Sequence, residues 1–246
     1  MVGDTEGVEE VPCASLLRFK TPAGILLAGP SQSGKTSLLV RLFKHLPCMF
    51  DTTFQSILWC YGEKNAVPKD LETHGIPFRT HEGLPDDWSD GETEALGLVS
   101  PALIVLDDLL EVAYNTNSIE TLFTKKIHHN KWTVILVSQN LLYQSKIART
   151  ISLNLTYMIL MKNIRDKNQF LHLARQVEPT HHRGLIKAYD EALMKPYGYF
   201  VIDFHVTTPE ALRYRSCLFP TDSACIFWTS QDRLEKLKDE KAFEFA

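Results

Sequence analysis

One short stretch of the sequence holds the residue types that bind the phosphates of a nucleotide. It matches the phosphate-binding loop pattern GxxxxGK followed by Ser or Thr, and its residues are Gly29, Pro30, Ser31, Gln32, Ser33, Gly34, Lys35 and Thr36. In such a loop, backbone N–H groups and the start of the next helix surround the phosphates. We expect Lys35 to contact the β and γ phosphates of ATP and the Thr36 hydroxyl to ligate Mg²⁺. The other interpretation is a plain glycine turn between a strand and a helix.

A pair of aspartates follows another short apolar run. Residues Leu103 to Leu106 are apolar, and Asp107 and Asp108 come directly after them. A carboxylate at the end of a strand lies where open α/β sheets bind ligands, so we expect Asp107 to hold the Mg²⁺ ion. Asp108 is the predicted general base that polarises the attacking water. Two alternatives stay open: Glu111 as the base, or Asp108 as the cap of a turn.

Three further polar side chains complete the predicted catalytic set. Gln139 comes two residues after an apolar run and is expected to hydrogen-bond the γ phosphate or the attacking water. Arg149 and Arg165 each lie beside an apolar run, and either is a candidate for an arginine that reaches into the site of a neighbouring subunit. The predicted catalytic residues are Lys35, Asp107, Asp108, Gln139, Arg149 and Arg165.

Short apolar runs alternate with helical patterns along the chain. The runs are Gly24–Ala28, Ser56–Tyr61, Leu103–Leu106, Thr133–Val137 and Tyr157–Met161. Runs this short that are apolar on both faces are typical of a parallel sheet covered by helices on each side. After the phosphate loop, apolar residues from Leu38 to Leu46 recur at helical spacing until Pro47 ends the pattern. The sequence therefore predicts a doubly wound α/β domain.

The order of these elements narrows the fold class and sets domain boundaries. An extra strand lies between the phosphate loop and Asp107, which is typical of the additional-strand class of P-loop NTPases. Two late strands, Tyr199–Phe204 and Tyr214–Phe219, are predicted near a sheet edge. The predicted fold is thus a mainly parallel sheet flanked by helices, with late edge strands. We expect an acidic flexible tail over 1–17, an ATPase domain over 18–220, and a C-terminal extension with a charged helix over 221–246.

The formal net charge of -4 over 246 residues conceals a separation of charge along the chain. Residues 82–94 hold six acids and no base, and we predict a surface loop there. Residues 125–187 hold eleven bases against two acids, which favours contact with a DNA backbone. No apolar stretch approaches the length of a membrane span, and the acidic start lacks the features of a signal peptide. We therefore expect an intracellular protein.

A longer series of short motifs accompanies these residues over about residues 18 to 220. Its members are Ala28–Thr36, Ile57–Tyr61, Leu106–Asp108, Phe123–Lys125 with His128 and His129, Ser138–Asn140, Arg149–Asn154, Lys162–Asp166, Pro196–Tyr199, Asp203 and Arg213–Arg215. The series resembles the poxvirus-type genome-packaging ATPases of the FtsK/HerA superfamily, in the branch found in Polinton or adintovirus-like elements. Asp108 stands where many members of the wider superfamily carry Glu.

The resemblance implies a function that the individual motifs do not. It implies ATP-driven translocation of double-stranded viral DNA into a preformed capsid, with ATP and Mg²⁺ as cofactors. The implied partners are further copies of the chain in a homo-oligomeric ring, a pentamer or hexamer, and the capsid vertex or portal proteins. The implied location is the host nucleus or cytoplasm at sites of viral assembly, or the virion itself.

Two other functions fit the phosphate loop. The first is a small nucleoside or nucleotide kinase, which would need an arginine-bearing lid and an acceptor pocket; the sequence identifies neither. The second is an assembly module that does not hydrolyse nucleotide, in which the bound nucleotide only orders the oligomer.

Overall fold

The computed structural model describes residues 8–12, 17–62, 67–109, 117–141 and 145–229. Within these ranges the strands are β1 (Val8–Pro12), β2 (Ala23–Ala28), β3 (Ser56–Tyr61), β4 (Phe78–Glu82), β5 (Ala102–Asp107), β6 (Trp132–Ser138), β7 (Tyr157–Met161), β8 (Tyr199–Asp203), β9 (Tyr214–Ser216) and β10 (Ser223–Phe227). The helices are α1 (Lys35–Lys44), α2 (Leu46–Met49), α3 (Asp90–Ala95), α4, α5 (Lys146–Leu153), α6 (Lys167–Val177) and α7 (His182–Ala192). Helix α4 begins as Asn117–Thr121, continues as a π-helical stretch over Leu122–Lys126 and ends as Ile127–His129. A 3₁₀ turn spans Glu210–Leu212.

The strands form one sheet in the order β1-β10-β9-β8-β7-β2-β6-β5-β3-β4. The six strands from β7 to β4 in this order are parallel, and β8, β9, β10 and β1 add antiparallel pairs on one side. Strand β6 lies between β2, which leads into the phosphate loop, and β5, which ends in Asp107. This order confirms the predicted fold class. We call the side at which the parallel strands finish the carboxyl end of the sheet, and the opposite side the amino end.

The register of the central strands brings the predicted site residues to one place. Ala28 of β2 pairs with Ser138 of β6, and Asp107 of β5 pairs with Val137 of β6. The three strands therefore finish at almost the same level. Consequently the residues that follow them meet at the carboxyl end of the sheet, where ligands bind in open α/β sheets.

Apolar cores cover both faces of the sheet because successive side chains of a strand point to opposite sides. Ile25 and Leu27 of β2 belong to the core that includes Phe43 of α1. Leu26 and Ala28 belong to the other core, which receives side chains from helices α4 to α7. Strand β2 is thus buried on both faces, and it holds the start of the phosphate loop in a fixed position.

The sheet extends past both predicted boundaries of the ATPase domain. Strand β1 lies within the predicted tail 1–17 and pairs with β10, which lies within the predicted extension 221–246. The tail prediction is therefore wrong for Val8–Pro12. The reason is that a five-residue strand with two acids has no apolar pattern of its own, and its pairing partner lies more than 200 residues away in sequence.

The acidic segment 82–94 is also more ordered than a surface loop. Its first residue ends β4, Trp88 is buried, and residues from Asp90 form α3. The side chain of Ser89 accepts a hydrogen bond from the Glu92 N–H, and Asp90 and Glu92 lie in the first turn. Acids are favourable there because they interact with the positive end of the helix. Part of the acidic run is thus a helix start.

Two smaller predictions are refined. Helix α1 ends at Lys44, and Pro47 lies in the first turn of α2 instead of directly after a longer α1. The charged helix expected after Ser230, and the alternative base Glu111, lie outside the described residues. In the described ranges, the helices are too short or too polar to cross a membrane.

Candidate active site

The phosphate loop connects β2 to α1 in the geometry that its sequence predicts. The Gly29 N–H donates to the Ser138 carbonyl at 3.0 Å, and the Ser33 N–H donates to the Pro30 carbonyl at 3.2 Å, which closes a turn. Gly34 has a φ of 100°, a conformation that favours glycine, and helix α1 begins at the next residue. This helix has no side-chain cap and no acid in its first turn. Its first N–H groups are thus arranged to receive an anion.

Lys35 folds back over this loop. Its Nζ donates to the carbonyl of Gly29 at 2.6 Å and to that of Pro30 at 3.0 Å. Burial lowers the pKa of Lys35, and the nearby Asp107 and Asp108 act against this shift. The ammonium group is therefore held between the loop and the two carboxylates, where it can contact a phosphate chain.

The aspartate pair has one buried and one exposed member. Asp107 ends β5 and is 9% exposed, and its pKa is raised to about 6, first by burial and then by Asp108, while Lys35 lowers it. Asp108 is exposed and has a φ of 55°. The chain turns sharply after Asp107, so the second carboxylate points towards solvent. The water-exposed carboxylate of Asp108 is thus adjacent to the buried carboxylate of Asp107.

Gly62 supports this turn, and sequence reasoning did not identify it. Its N–H donates to the Asp107 carbonyl at 3.2 Å, and a Cβ on it would lie 2.9 Å from the carbonyl oxygen of Asp108. Any larger residue would push the turn away. The only sequence signal is its position directly after the apolar run of β3, beside β5 in the sheet.

Gln139 connects the phosphate loop to the aspartate pair. Its Nε2 donates to Oδ1 of Asp108 at 3.2 Å, and its Oε1 accepts a hydrogen bond from the Ser31 hydroxyl at 3.3 Å. The residue follows β6, the strand that separates β2 from β5. The structure therefore brings Lys35, Asp107, Asp108 and Gln139 together, with Gln139 in the middle. Their catalytic roles stay predictions.

A second amide, Gln169, fixes the chain that follows Gln139. Its Oε1 accepts from the Leu141 N–H at 2.9 Å, and its Nε2 donates to Oδ2 of Asp166 at 2.9 Å. Asp166 caps α6 through the N–H groups of Asn168 and Gln169. The segment after β6 is thus tied to the start of α6. Sequence reasoning missed this link because the two segments are about 30 residues apart.

The donor groups at the carboxyl end fit a magnesium ion. The Thr36 hydroxyl and the Asp107 carboxylate are hard oxygen ligands, which Mg²⁺ prefers, and Asp108 adds a further carboxylate nearby. The raised pKa of Asp107 means that its negative charge is poorly compensated by the protein alone. A divalent cation would supply that compensation.

The two candidate arginines are exposed on segments that follow β6 and β7. Arg165 is exposed in the turn after β7, where its N–H donates to the Asn163 side chain at 3.0 Å. Arg149 is exposed in the second turn of α5. In the described part of the chain, neither side chain forms an ion pair with the site carboxylates. Both are available at the surface, as an arginine that serves a neighbouring subunit would need to be.

The bases of residues 125–187 lie at both ends of the sheet. Those near the carboxyl end, on elements that follow β6 and β7, are Lys146, Lys162, Arg165 and Lys167. Those near the amino end, before β6 or where α6 ends and α7 begins, are Lys131, Arg175 and Arg183. The eleven residues of α6 separate the two groups by roughly 16 Å. The predicted basic region is thus divided into two groups.

Comparison with known proteins gives remote structural similarity. No protein-family model matches the chain, and no curated protein matches its sequence. The genome packaging NTPase B204 from Sulfolobus turreted icosahedral virus 2, in complex with sulfate, is similar over 74% of this chain and 92% of that chain, with 17% identity and a TM-score of 0.49. The cytoplasmic domain of the type VII secretion ATPase EccC from Thermomonospora curvata is similar over 83% of this chain and 25% of that chain, with 15% identity and a TM-score of 0.48.

A KaiC-like protein from Pyrococcus horikoshii OT3 is similar over 90% of this chain and all of that chain, with 12% identity and a TM-score of 0.42. These TM-scores are below 0.5 and the identities are low. The interpretation of the fold therefore rests on the strand order, and that of the site rests on its residues.

Proposed function

We propose that the protein is an ATPase whose hydrolysis cycle drives translocation of double-stranded DNA, as in genome packaging. The observation that carries the ATPase proposal is the position of Gln139, which joins the phosphate loop at Ser31 to the exposed carboxylate of Asp108. A glycine turn with a purely structural role has no need of this connection. The motif series of the packaging ATPases and the basic surface groups support the DNA part of the proposal.

Each residue of the cluster has a proposed role. The backbone of Gly29 to Thr36 surrounds the phosphates, and Lys35 neutralises charge on the β and γ phosphates. Thr36 and Asp107 would hold Mg²⁺, which when bound offsets phosphate charge. Asp108 accepts the proton of the attacking water, because it is exposed and its Oδ1 is already oriented by Gln139. Gln139 holds this water in line with the γ phosphate.

The proposed assembly is a ring, because Arg149 and Arg165 are exposed and, among the described residues, form no ion pair with the site carboxylates. An arginine from one subunit would stabilise the charge that develops on the γ phosphate in the next subunit. We propose a homo-oligomer, pentamer or hexamer, that meets capsid vertex or portal proteins at viral assembly sites. The chain would be a motor only in that assembled form.

The first test measures ATP hydrolysis with and without duplex DNA at low salt. We expect Lys35→Ala to abolish nucleotide binding, whereas Asp108→Asn should bind ATP and lose turnover. Lys44→Ala is the matched control, since Lys44 is an exposed lysine of the same helix at its other end. Asparagine tolerates the positive φ of Asp108, so loss of activity would not reflect a strained backbone.

Several outcomes would change the proposal. A wild-type rate that is indifferent to DNA would count against translocation. A fully active Asp108→Asn protein would move the general base to Glu111. Tight ATP binding without turnover under any DNA condition would favour the assembly module.

A second test examines the arginines. Subunits with Arg149→Ala are mixed with subunits carrying Lys35→Ala, and the experiment is repeated with Arg165→Ala. If one arginine acts across an interface, mixed rings should recover part of the activity, because some interfaces then combine an intact arginine with an intact phosphate loop. Absence of recovery with both variants would contradict a trans-acting role.

The DNA contact can be located with charge-removal variants. Lys146, Lys162 and Lys167 are replaced together by alanine in one variant, and Lys131, Arg175 and Arg183 in another. Removal of the group that contacts DNA should weaken the salt dependence of DNA binding. The slope of log affinity against log salt concentration should become shallower by about one per lost phosphate contact. If both variants keep the wild-type slope, neither group of bases contacts DNA.

A further inference from the structure

An exposed aromatic ring lies directly against the phosphate loop. Tyr197, in the connection between α7 and β8, is 71% exposed. A Cβ on Gly34 would lie only 2.9 Å from its Cδ1 atom, so the ring rests on the Gly34 backbone. One side of the ring is therefore in contact with the loop, and most of its surface remains open to solvent.

The backbone around Tyr197 is shaped to hold the ring there. Tyr197 has a φ of 58°, an unusual conformation for a large side chain. The next residue, Gly198, donates its N–H to the Lys195 carbonyl at 3.1 Å, and a Cβ on Gly198 would lie 2.5 Å from the Ala192 carbonyl oxygen. Tyr199 is buried, and its hydroxyl accepts from the Leu218 N–H at 2.7 Å. Tyr197 is strained and mostly exposed, so burial of its side chain does not offset the strain. Strain that the fold itself does not explain points to a ligand.

The strand order gives the direction in which a nucleotide would lie. The groups that suit its terminal phosphates, Asp107 and Gln139, follow β5 and β6 on one side of β2. Strands β7 and β8 lie on the other side of β2, and Tyr197 comes just before β8 at the carboxyl end. A nucleotide with its γ phosphate towards Asp107 must extend its nucleoside away from β5 and β6. The nucleoside then lies on the side of the phosphate loop where Tyr197 is found.

We infer that Tyr197 stacks on the base of the bound nucleotide. The inference rests on the proposed nucleotide site and adds to it the residue that contacts the nucleoside. The ring supplies a π face, and every base has one, so stacking itself is tolerant of base identity. The hydroxyl group of Tyr197 takes no part in this stacking. Base stacking on an aromatic side chain accounts for about 10- to 100-fold in affinity.

The experiment compares ATP with inorganic tripolyphosphate, which has the phosphates but no base. Dissociation constants are measured by calorimetry with Mg²⁺ for the full chain and for Tyr197→Asn and Tyr197→Phe. Asparagine removes the ring and accepts the positive φ, and phenylalanine keeps the ring without the hydroxyl. We expect Tyr197→Asn to weaken ATP binding by about 10- to 100-fold and tripolyphosphate binding by less than about 2-fold. Tyr197→Phe should bind both ligands as the wild type does.

Met194→Ala is the matched control, because Met194 lies in the same connection between α7 and β8 and is 76% exposed. An equal loss of ATP and tripolyphosphate binding in Tyr197→Asn would overturn the inference, since the ring would then only support Gly34. Unchanged ATP binding would overturn it as well, and the phosphate site would stand. Wild-type protein that binds neither ligand would refute the phosphate site itself, and the inference with it. Tripolyphosphate binding by Tyr197→Asn also shows that this variant is folded.

Discussion

Two buried aspartates at opposite ends of the sheet are treated differently by their surroundings. Asp203 ends β8 at the amino end and is 1% exposed; its Oδ2 accepts from Arg215 at 2.7 Å and from the Thr208 hydroxyl at 3.1 Å. Its Oδ1 accepts from the His205 N–H at 2.8 Å. Asp107 ends β5 at the carboxyl end, and among the described residues no hydrogen-bond donor reaches its carboxylate. Its closest charged neighbours include a second carboxylate.

The difference separates a structural charge from a functional one. Asp203 is fully satisfied by the protein, so its charge fixes the positions of β8 and β9 and has nothing left to bind. Asp107 is shielded from water, and in the described part of the chain the attraction of Lys35 is weaker than the combined effect of burial and the Asp108 carboxylate. This imbalance destabilises the folded protein and leaves the carboxylate available to a cation. A site that must bind a ligand has to remain incomplete, and this incompleteness reduces stability.

The largest effect is expected at the amino end. Asp203→Asn should reduce the free energy of unfolding by about 3–5 kcal/mol, because it leaves the guanidinium of Arg215 buried without a countercharge. Urea unfolding followed by circular dichroism measures this change. Replacing both partners, Asp203→Leu with Arg215→Met, should be less harmful than Asp203→Asn. If the free energy of unfolding falls by less than about 1 kcal/mol in Asp203→Asn, the Asp203–Arg215 pair does not fix the positions of β8 and β9.

Asp107→Asn should have the opposite effect on stability, and should increase the free energy of unfolding. Its pKa is raised to about 6 from 3.8, so the folded state binds the proton more tightly than the unfolded state. The ionised carboxylate therefore opposes folding increasingly as the pH rises from about 4, and this penalty is complete above about pH 6. The variant should therefore be more stable than the wild type at pH 7.5, by up to about 3 kcal/mol in the absence of ligand. It should also lose ATP turnover.

The pH dependence of this gain is the sharper measurement. As the pH falls from 7.5 to 4, the wild-type carboxylate becomes protonated in the folded state, and the advantage of Asp107→Asn should disappear. Asp108→Asn is the control, because Asp108 is exposed and its removal should change stability by less than about 0.5 kcal/mol. An advantage that persists unchanged at pH 4 would show that the charge of Asp107 is not its cause.

A partly exposed ion pair lies between these extremes. Arg41 of α1 donates to Asp222 at 2.5 Å, and its guanidinium lies 4.1 Å from the centre of the Phe219 ring. Arg41→Met should cost about 1 kcal/mol, since solvent screens the pair. High salt should reduce the cost of this substitution and leave that of Asp203→Asn almost unchanged. A cost as large as that of Asp203→Asn would contradict the role given to burial.

The smallest effect on stability is expected for Gln139→Ala. Gln139 is exposed, so the free energy of unfolding should change by less than about 0.5 kcal/mol. Turnover should nevertheless fall by roughly 100-fold, because the donor that orients water and the Asp108 carboxylate is lost. Parallel unfolding and steady-state assays separate the two quantities. A variant with normal turnover would remove Gln139 from the proposed mechanism.

The sequence predicts the central half of the molecule well because its signals there are local. Five of the six parallel strands are short apolar runs; the exception is β4, whose residues Phe78–Glu82 are mostly polar and partly exposed. Asp107, Asp108 and Gln139 follow such runs, and Lys35 lies in the phosphate loop. Asp107 and Gln139 could be placed near Lys35 because the ends of neighbouring parallel strands meet. The strand order that makes β6 the neighbour of both β2 and β5 follows from the same fold class.

The rest depends on contacts between distant segments. Strands β1 and β10 have no strong pattern of their own, and only their pairing makes them strands. Gly62 looks ordinary in sequence, and Tyr197 appears there only as part of the motif Pro196–Tyr199. The importance of both comes from the atoms they touch, the Asp108 carbonyl and the Gly34 backbone. The two groups of bases, similarly, are one run in sequence and are separated only by the course of α6.

The pairing of β1 with β10 has a practical consequence for experiments on single molecules. Val8 lies opposite Phe227, so handles or dyes attached beyond either strand emerge at the same border of the sheet. Five strand spacings separate β1 from β2, which places that border about 24 Å from the strand that carries the phosphate loop. A tether attached there would pull on the outermost strands and leave the nucleotide cleft unobstructed.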